Sequence, residues 1–252
     1  MTHLYLIRHG ESWPNVKPII GGMKGDAGLT PLGISQAERL RDRLAATREI
    51  PADVLIASTL PRARQTAQII APALRLPITL DDEVQELRMG EADGMSHAEF
   101  DETFGRPDFQ RQPTRPVAPG GESWSSFMLR VATNLERIAA EHAGKHVVIV
   151  CHGGIIDGSL IYFFGLDGLR LPRVRFYTRN TSITYWHLIE RDAAANPLTP
   201  PHWRLEYYND ATHLREVGAR ESISWDELAA EPDSGSDAPA VPLPTEEPQN
   251  EG

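Results

Sequence analysis

Apolar positions recur with two different periods along most of the chain, and each change of period marks a new element. Residues 3–7 (HLYLI) form a β-prone run that stops abruptly at charge and glycine. Leu32, Ala37, Leu40, Leu44 and Ala45 then recur at helical spacing, with Thr30 placed as the cap. The pattern predicts a second strand over 54–57 and a second helix over 61–74, whose leading proline suits a first turn. Ser123 caps a long amphipathic helix to about His142, on which Phe127, Val131, Leu135, Ile138 and Ala139 share a face. Residues 146–150 are an unbroken apolar run of the kind buried on both sides of a parallel sheet. An apolar helix is expected over 153–164, and strands over 182–189 and 202–208 on either side of the Pro-containing stretch 190–201. Two segments, 10–31 and 88–121, hold too many glycines and prolines for regular structure and read as long loops. Strands alternating with helices predict an α/β fold of three layers, α/β/α, around a mostly parallel central sheet.

Charge divides the chain. Its 252 residues carry a formal net charge of −10, but residues 226–252 hold eight acids and no Lys or Arg. The first 225 residues are therefore nearly neutral, at −2. An acidic balance argues against nucleic acid or an anionic membrane as partner. We read residues 1–218 as one folded domain and 219–252 as an acidic, Pro-rich tail that is expected to be disordered. The single cysteine, Cys151, leaves no intrachain disulfide framework. No apolar run approaches the roughly 18 residues of a membrane span, and the first residues lack the pattern of a secretory signal. The expected location is the cytoplasm.

Two predicted strands end alike. The first runs into Arg8-His9-Gly10 and the strand over 146–150 into Cys151-His152-Gly153-Gly154. Ligands in open α/β sheets bind beyond the carboxyl ends of the strands. Both histidines are therefore expected in one crevice despite their separation in sequence.

The segments RHGESWPN (8–15), LTPLGISQA (29–37), STLPRARQTA (58–67), ELRMGEADG (86–94), PGGES (119–123) and VIVCHGG (148–154) together resemble the histidine phosphatase superfamily, also called phosphoglycerate mutase-like. The likeness runs from residue 3 to about 214 and is stronger to the broad-specificity phosphatase branch than to the mutases. It implies a metal-independent phosphomonoesterase with His9 as nucleophile, and Arg8 and Arg62 as forked donors to phosphate oxygens. It also implies His152 hydrogen-bonding a non-bridging oxygen, Glu86 as proton donor to the leaving alkoxide, and Asn15 contacting the phosphoryl group. The substrate implied is a small phosphorylated metabolite. The readings that compete with phosphatase action are a bisphosphate-dependent phosphoglycerate mutase and a non-catalytic phosphate-binding or scaffold protein.

Each of these residues has rivals. Arg64 competes with Arg62, and Glu83, Glu91 and Asp93 compete with Glu86. Glu122 reads as a helix-start charge, and Cys151 as a buried strand residue. The remaining histidines show no metal-ligand spacing, so no metal and no cofactor are expected. Arg170, Arg173, Arg175 and Arg179 read as a solvated loop. Trp13, Met23, Met89 and Trp124 either wall a pocket for a larger organic phosphate or pack the two loops down. The sequence leaves the oligomeric state open.

Overall fold

The computed structural model describes residues 1–189 and 200–215. The expected tail, 219–252, lies outside the described residues. The strands in chain order are β1 (Thr2–Arg8), β2 (Val54–Ser58), β3 (Ile78–Asp81), β4 (His146–Cys151), β5 (Ile183–Ile189) and β6 (His202–Asp210). They form one sheet in the order β3-β2-β4-β1-β5-β6. The first four positions are parallel; β5 joins β1 antiparallel and β6 joins β5 antiparallel. The sheet is therefore mostly parallel, as expected, and β5 and β6 add an antiparallel edge.

The helices are α1 (Trp13–Val16), α2 (Pro31–Thr47), α3 (Pro61–Leu74), α4 (His97–Phe104), α5 (Trp124–Glu141) and α6 (Gly153–Phe163). Alternate side chains of each central strand point to opposite faces, which divides the interior in two. Leu4, Leu6, Ile56, Val147, Ile149 and Trp186 pack with Phe127, Val131, Leu135 and Ile155 of α5 and α6. Tyr5, Ile7, Leu55, Val148 and Val150 pack with Leu40, Leu44, Ala67 and Ile70 of α2 and α3. Each large apolar side chain fully buried this way contributes roughly 1.5–3 kcal/mol. The sheet has apolar cover on both faces, so its polar chemistry is confined to the ends of the strands.

Three elements depart from the sequence reading, the first being the short helix α1, which lies in the segment 10–31 expected to be irregular. The short edge strand β3 was not expected; two of its four residues are exposed and none is buried, so it carries no apolar signature. The segment 88–121, expected to be irregular, contains the helix α4. Only Phe100 of α4 is buried, so no apolar stripe announces it, although Ser96 and Glu99 form a capping box at its start. The capped helices behave as predicted. Thr30 accepts a hydrogen bond from the Gly33 amide at 3.0 Å, and the Ser123 hydroxyl accepts one from the Ser126 amide at 3.1 Å.

Candidate active site

Strand register brings the two histidines together. Arg8 pairs with Cys151 at the ends of β1 and β4, so His9 and His152 leave the sheet side by side. Their ring centroids are 5.2 Å apart, and both side chains are buried. The helix α2 comes up close against the end of β1, which requires the glycine of the Arg-His-Gly triplet. A Cβ on Gly10 would stand 2.5 Å from the Gly33 carbonyl oxygen.

The hydrogen bonds of His9 fix its tautomer. Its Nδ1 lies 2.7 Å from the Gly10 carbonyl, which can only accept, so Nδ1 carries the proton. Arg62 Nε–H donates to His9 Nε2 at 3.1 Å, so that nitrogen presents its lone pair. The backbone behind the ring is held too, since Asn180 Nδ2 donates to the His9 carbonyl at 2.9 Å. Burial first, then the charges of Arg62 and Arg8, hold the imidazole well below the usual histidine value. That shift favours the neutral ring.

Arg62 is the second residue of α3, at its N-terminus, where the helix dipole favours an anion. Asp26 fixes it: the buried Asp26 Oδ2 accepts from the Arg62 amide at 3.1 Å and from Nη1 at 2.9 Å. Nη1 also donates to the Gly21 carbonyl at 2.8 Å. Among the described residues Nη2 has no protein partner. Arg64 is exposed and the choice between the two arginines falls to Arg62. Arg8 is buried and donates through Nη1 to the Thr178 carbonyl. Its guanidinium lies against Gly153. The site thus holds two buried cations facing neutral histidines.

His152 is the N-cap residue of α6. Ser58 Oγ accepts from the Leu60 amide at 3.3 Å and lies 2.8 Å from His152 Nε2. If the serine hydroxyl donates to Nε2, the proton of His152 sits on Nδ1, which is buried and has no hydrogen-bond partner among the described residues. Burial first, then Arg62, His9, Arg8 and Arg130, hold this ring well below the usual value as well.

Glu86 stands at the start of α6. Its Oε2 accepts from the Gly154 amide and its Oε1 from the Leu87 amide, both at 3.0 Å. The loop carrying it is clamped by Arg130 of α5, which donates to the carbonyls of Glu83, Gln85 and Glu86 and pairs through Nε with Glu122 at 2.7 Å. Glu122 is thus a support for the loop, and no pattern in the chain marks Arg130 for this role. Of the rival acids, Glu83 and Glu91 are exposed, while Asp93 accepts from the amides of Gly22, Lys24 and Gly25 and ties down the Gly-rich loop.

Asn15 lies in α1 and is half-buried. Its Oδ1 accepts from the Ser12 amide at 3.1 Å and the Ser12 hydroxyl at 2.9 Å, so its side chain helps to form a capping box. Cys151 is fully buried and its thiol is pushed up by burial. All four arginines of residues 170–179 are exposed; only Arg175 borders a cavity, of about 340 Å³, whose apolar walls include Ile20, Met89, Phe100, Phe109 and Val117. Of the four apolar residues singled out for a pocket wall, Met89 alone lines it. Trp124 is buried in the core, Met23 is exposed, and Trp13 lies under Lys17 Nζ at 4.5 Å.

The neutral histidines have a consequence for stability. His9 and His152 resist protonation in the fold, and His3 and His213 are also pulled down, to about 4, chiefly by burial. Below about pH 6.5 the unfolded chain binds more protons than the folded one, so stability falls as the pH drops from 7 toward 5. Thermal unfolding across that range should show a steadily lower midpoint, with a shallower decline in the His9→Ala variant. A flat profile would mean that these rings are charged in the fold.

Comparison with known proteins places these features in context. The profile of the histidine phosphatase superfamily (branch 1) matches residues 4–197. Phosphoglycerate mutase-like protein 4 of Arabidopsis thaliana is 30% identical over 228 residues, covering 88% of this chain and 90% of the relative. A metal-independent phosphoserine phosphatase of the same plant is 29% identical over 225 residues, covering 86% and 85%. Among solved structures, phosphoserine phosphatase from Entamoeba histolytica in complex with 3-phosphoglyceric acid aligns with a TM-score of 0.66 at 27% identity, covering 85% of this chain and 100% of that one.

Proposed function

The chain belongs to the histidine phosphatase superfamily, and from that premise we propose that it is a metal-independent phosphomonoesterase acting on small organic phosphates through a phosphohistidine at His9. The observation that carries this reading is the fixed tautomer of His9. A ring with Nδ1–H on a carbonyl and a lone pair at Nε2, held neutral by burial between two arginines, is a nucleophile that needs no activation by a base.

In the proposed reaction His9 Nε2 attacks phosphorus as the bond to the leaving oxygen breaks, and Glu86 gives that oxygen its proton. Arg62, through Nη2, and Arg8 neutralise the equatorial oxygens, and His152 Nδ1–H donates to one of them. Asn15 contacts the same group through its amide. Water then attacks the phosphohistidine, Glu86 takes the proton, and His9 is restored with inorganic phosphate as product. The apolar cavity walled by Met89, three residues after Glu86 in the chain, is the space we assign to the organic part of the substrate. A relative named for metal-independent phosphoserine hydrolysis supports the phosphatase reading. A relative named mutase-like keeps phosphoryl transfer to a second hydroxyl as the alternative, which a coupled isomerisation assay distinguishes.

The test is to trap the intermediate. The full chain, incubated with an aryl phosphate in excess EDTA and quenched in alkali, should carry a base-stable, acid-labile phosphoryl group on the peptide containing His9. Steady turnover in the chelator with no label on that peptide would sink the mechanism, and turnover lost to EDTA would sink its metal independence.

A further inference from the structure

Helix α6 is apolar almost throughout (GGIIDGSLIYF), and a single carboxylate, Asp157, interrupts it. The position of that carboxylate follows from the helix itself. Residues three and four apart stand on one face, with Cβ atoms about 5–6 Å apart, and helical side chains lean toward the N-terminus. Asp157 therefore leans toward Gly154 and Gly153. Both are glycines whose missing side chains are replaced by catalytic groups. A Cβ on Gly154 would lie 2.2 Å from Glu86 Oε1, and one on Gly153 would lie 3.7 Å from the Arg8 guanidinium carbon. Asp157 is thus the next group along the face that carries Glu86 and Arg8.

Its contacts agree. The Thr178 hydroxyl donates to Asp157 Oδ1 at 3.2 Å, and the Thr178 carbonyl accepts from Arg8. The second oxygen, Oδ2, has no protein partner among the described residues, and the residue is largely but not wholly buried. Arg175, which borders the apolar cavity, also acts on Asp157 electrostatically. Asp157 is thus linked through Thr178 to Arg8 at the phosphate end, and electrostatically to Arg175 beside the cavity assigned to the leaving group. It has no place in phosphoryl transfer itself, where a second carboxylate beside Glu86 would only repel the substrate's anionic end.

We propose, building on the phosphatase reading above, that Asp157 is a specificity-determining residue whose carboxylate receives an ammonium group on the substrate's leaving alcohol. The substrate class is a phosphomonoester of an amino alcohol: phosphate on Arg8 and Arg62, ester oxygen at Glu86, cation at Asp157. A charge-assisted hydrogen bond of this kind discriminates strongly against an uncharged isostere.

O-Phosphoethanolamine and n-propyl phosphate form a nearly isosteric pair that differs in that charge. Their binding to the full chain carrying His9→Ala, which cannot turn over, is measured by calorimetry at pH 8, alone and combined with Asp157→Asn. The expected result is a preference of about tenfold or more for the aminoethyl ester, falling to within about twofold once Asp157 is neutral. Asparagine still accepts from Thr178, so a residue that merely positioned Arg8 would leave the ratio unchanged. Burial and the neighbouring Glu86 raise the Asp157 carboxyl to about 7, against the opposing pull of Thr178, Arg8 and Arg175 and with Tyr208 facing it from β6. The ratio should accordingly grow as pH rises from 6 to 8. A ratio near one in the Asp157 form, or one unmoved by Asp157→Asn, overturns the proposal. Hydrolysis of the pair by the natural chain is read separately. A binding preference without hydrolysis would overturn the phosphatase reading and leave this one standing, and absence of binding by either ester would overturn both.

Discussion

Replacement of His9 by alanine is expected to lower hydrolysis of any phosphomonoester by about 10⁴-fold or more, a loss of at least about 5.5 kcal/mol of transition-state stabilisation. The size follows from what remains. Arg8, Arg62 and His152 would still bind the phosphate, and Glu86 would still face the leaving oxygen, but no group in the site could form the covalent intermediate. Water would have to attack directly, in a pocket shaped around a ring. The fold should survive. Arg62 keeps its two bonds to Asp26 and its bond to Gly21 when His9 is gone. The carbonyl of Gly10 loses one partner in a cleft that water can fill, so the cost to stability is on the order of 1–2 kcal/mol. Removing a ring pressed between two buried cations offsets part of that. The measurement is kcat/KM on an aryl phosphate together with a thermal midpoint. Activity within tenfold of the natural chain, in a folded variant, would end the assignment of His9 as nucleophile.

How far such a site could be read in advance depended on whether its residues share an element with a strong pattern. His9 and His152 were legible because each ends an apolar strand, and a parallel sheet puts the ends of neighbouring strands side by side. Arg62 was legible as a helix-start arginine, but only the family resemblance favoured it over Arg64, which shares that turn and faces solvent in the fold. Asp26 was not legible. It lies in the Gly-rich segment 10–31, where no period exists, and its importance comes from folding back onto the start of α3 across a long gap in sequence. Arg130 was hidden for the opposite reason. It sits in a helix with a clear apolar stripe, and one arginine beside such a stripe looks like an ordinary surface charge until its bonds to the Glu86 loop are seen. Asp157 offered a signal that was passed over: a lone acid in a helix that is apolar all round is costly unless something engages it. The edge strand β3 and the helix α4 each bury at most one large side chain, so tertiary contacts rather than local pattern decide them.

Glu86→Gln should separate leaving groups rather than abolish turnover uniformly. An alkyl alkoxide is a poor leaving group until it is protonated, whereas nitrophenolate departs without help, so an acid in this position matters in proportion to the basicity of the departing oxygen. Glutamine keeps the length of the side chain and can still accept one of the two amide hydrogen bonds from Gly154 and Leu87, so the loop held by Arg130 should stay in place. It cannot give up a proton. We expect kcat/KM for an alkyl phosphate to fall about 10³-fold, within the usual range for losing a general acid, and that for p-nitrophenyl phosphate to fall by about tenfold or less. The choice of kcat/KM is deliberate: it reports events up to the first irreversible step, here departure of the alcohol, and so excludes the later attack of water on phosphohistidine. That later step, in which Glu86 acts as base, should appear instead as a lower kcat with the aryl ester and as accumulation of the labelled enzyme. The two halves of the mechanism thus leave different marks on one variant. Equal losses in kcat/KM for the alkyl and aryl esters would remove Glu86 from the leaving-group role.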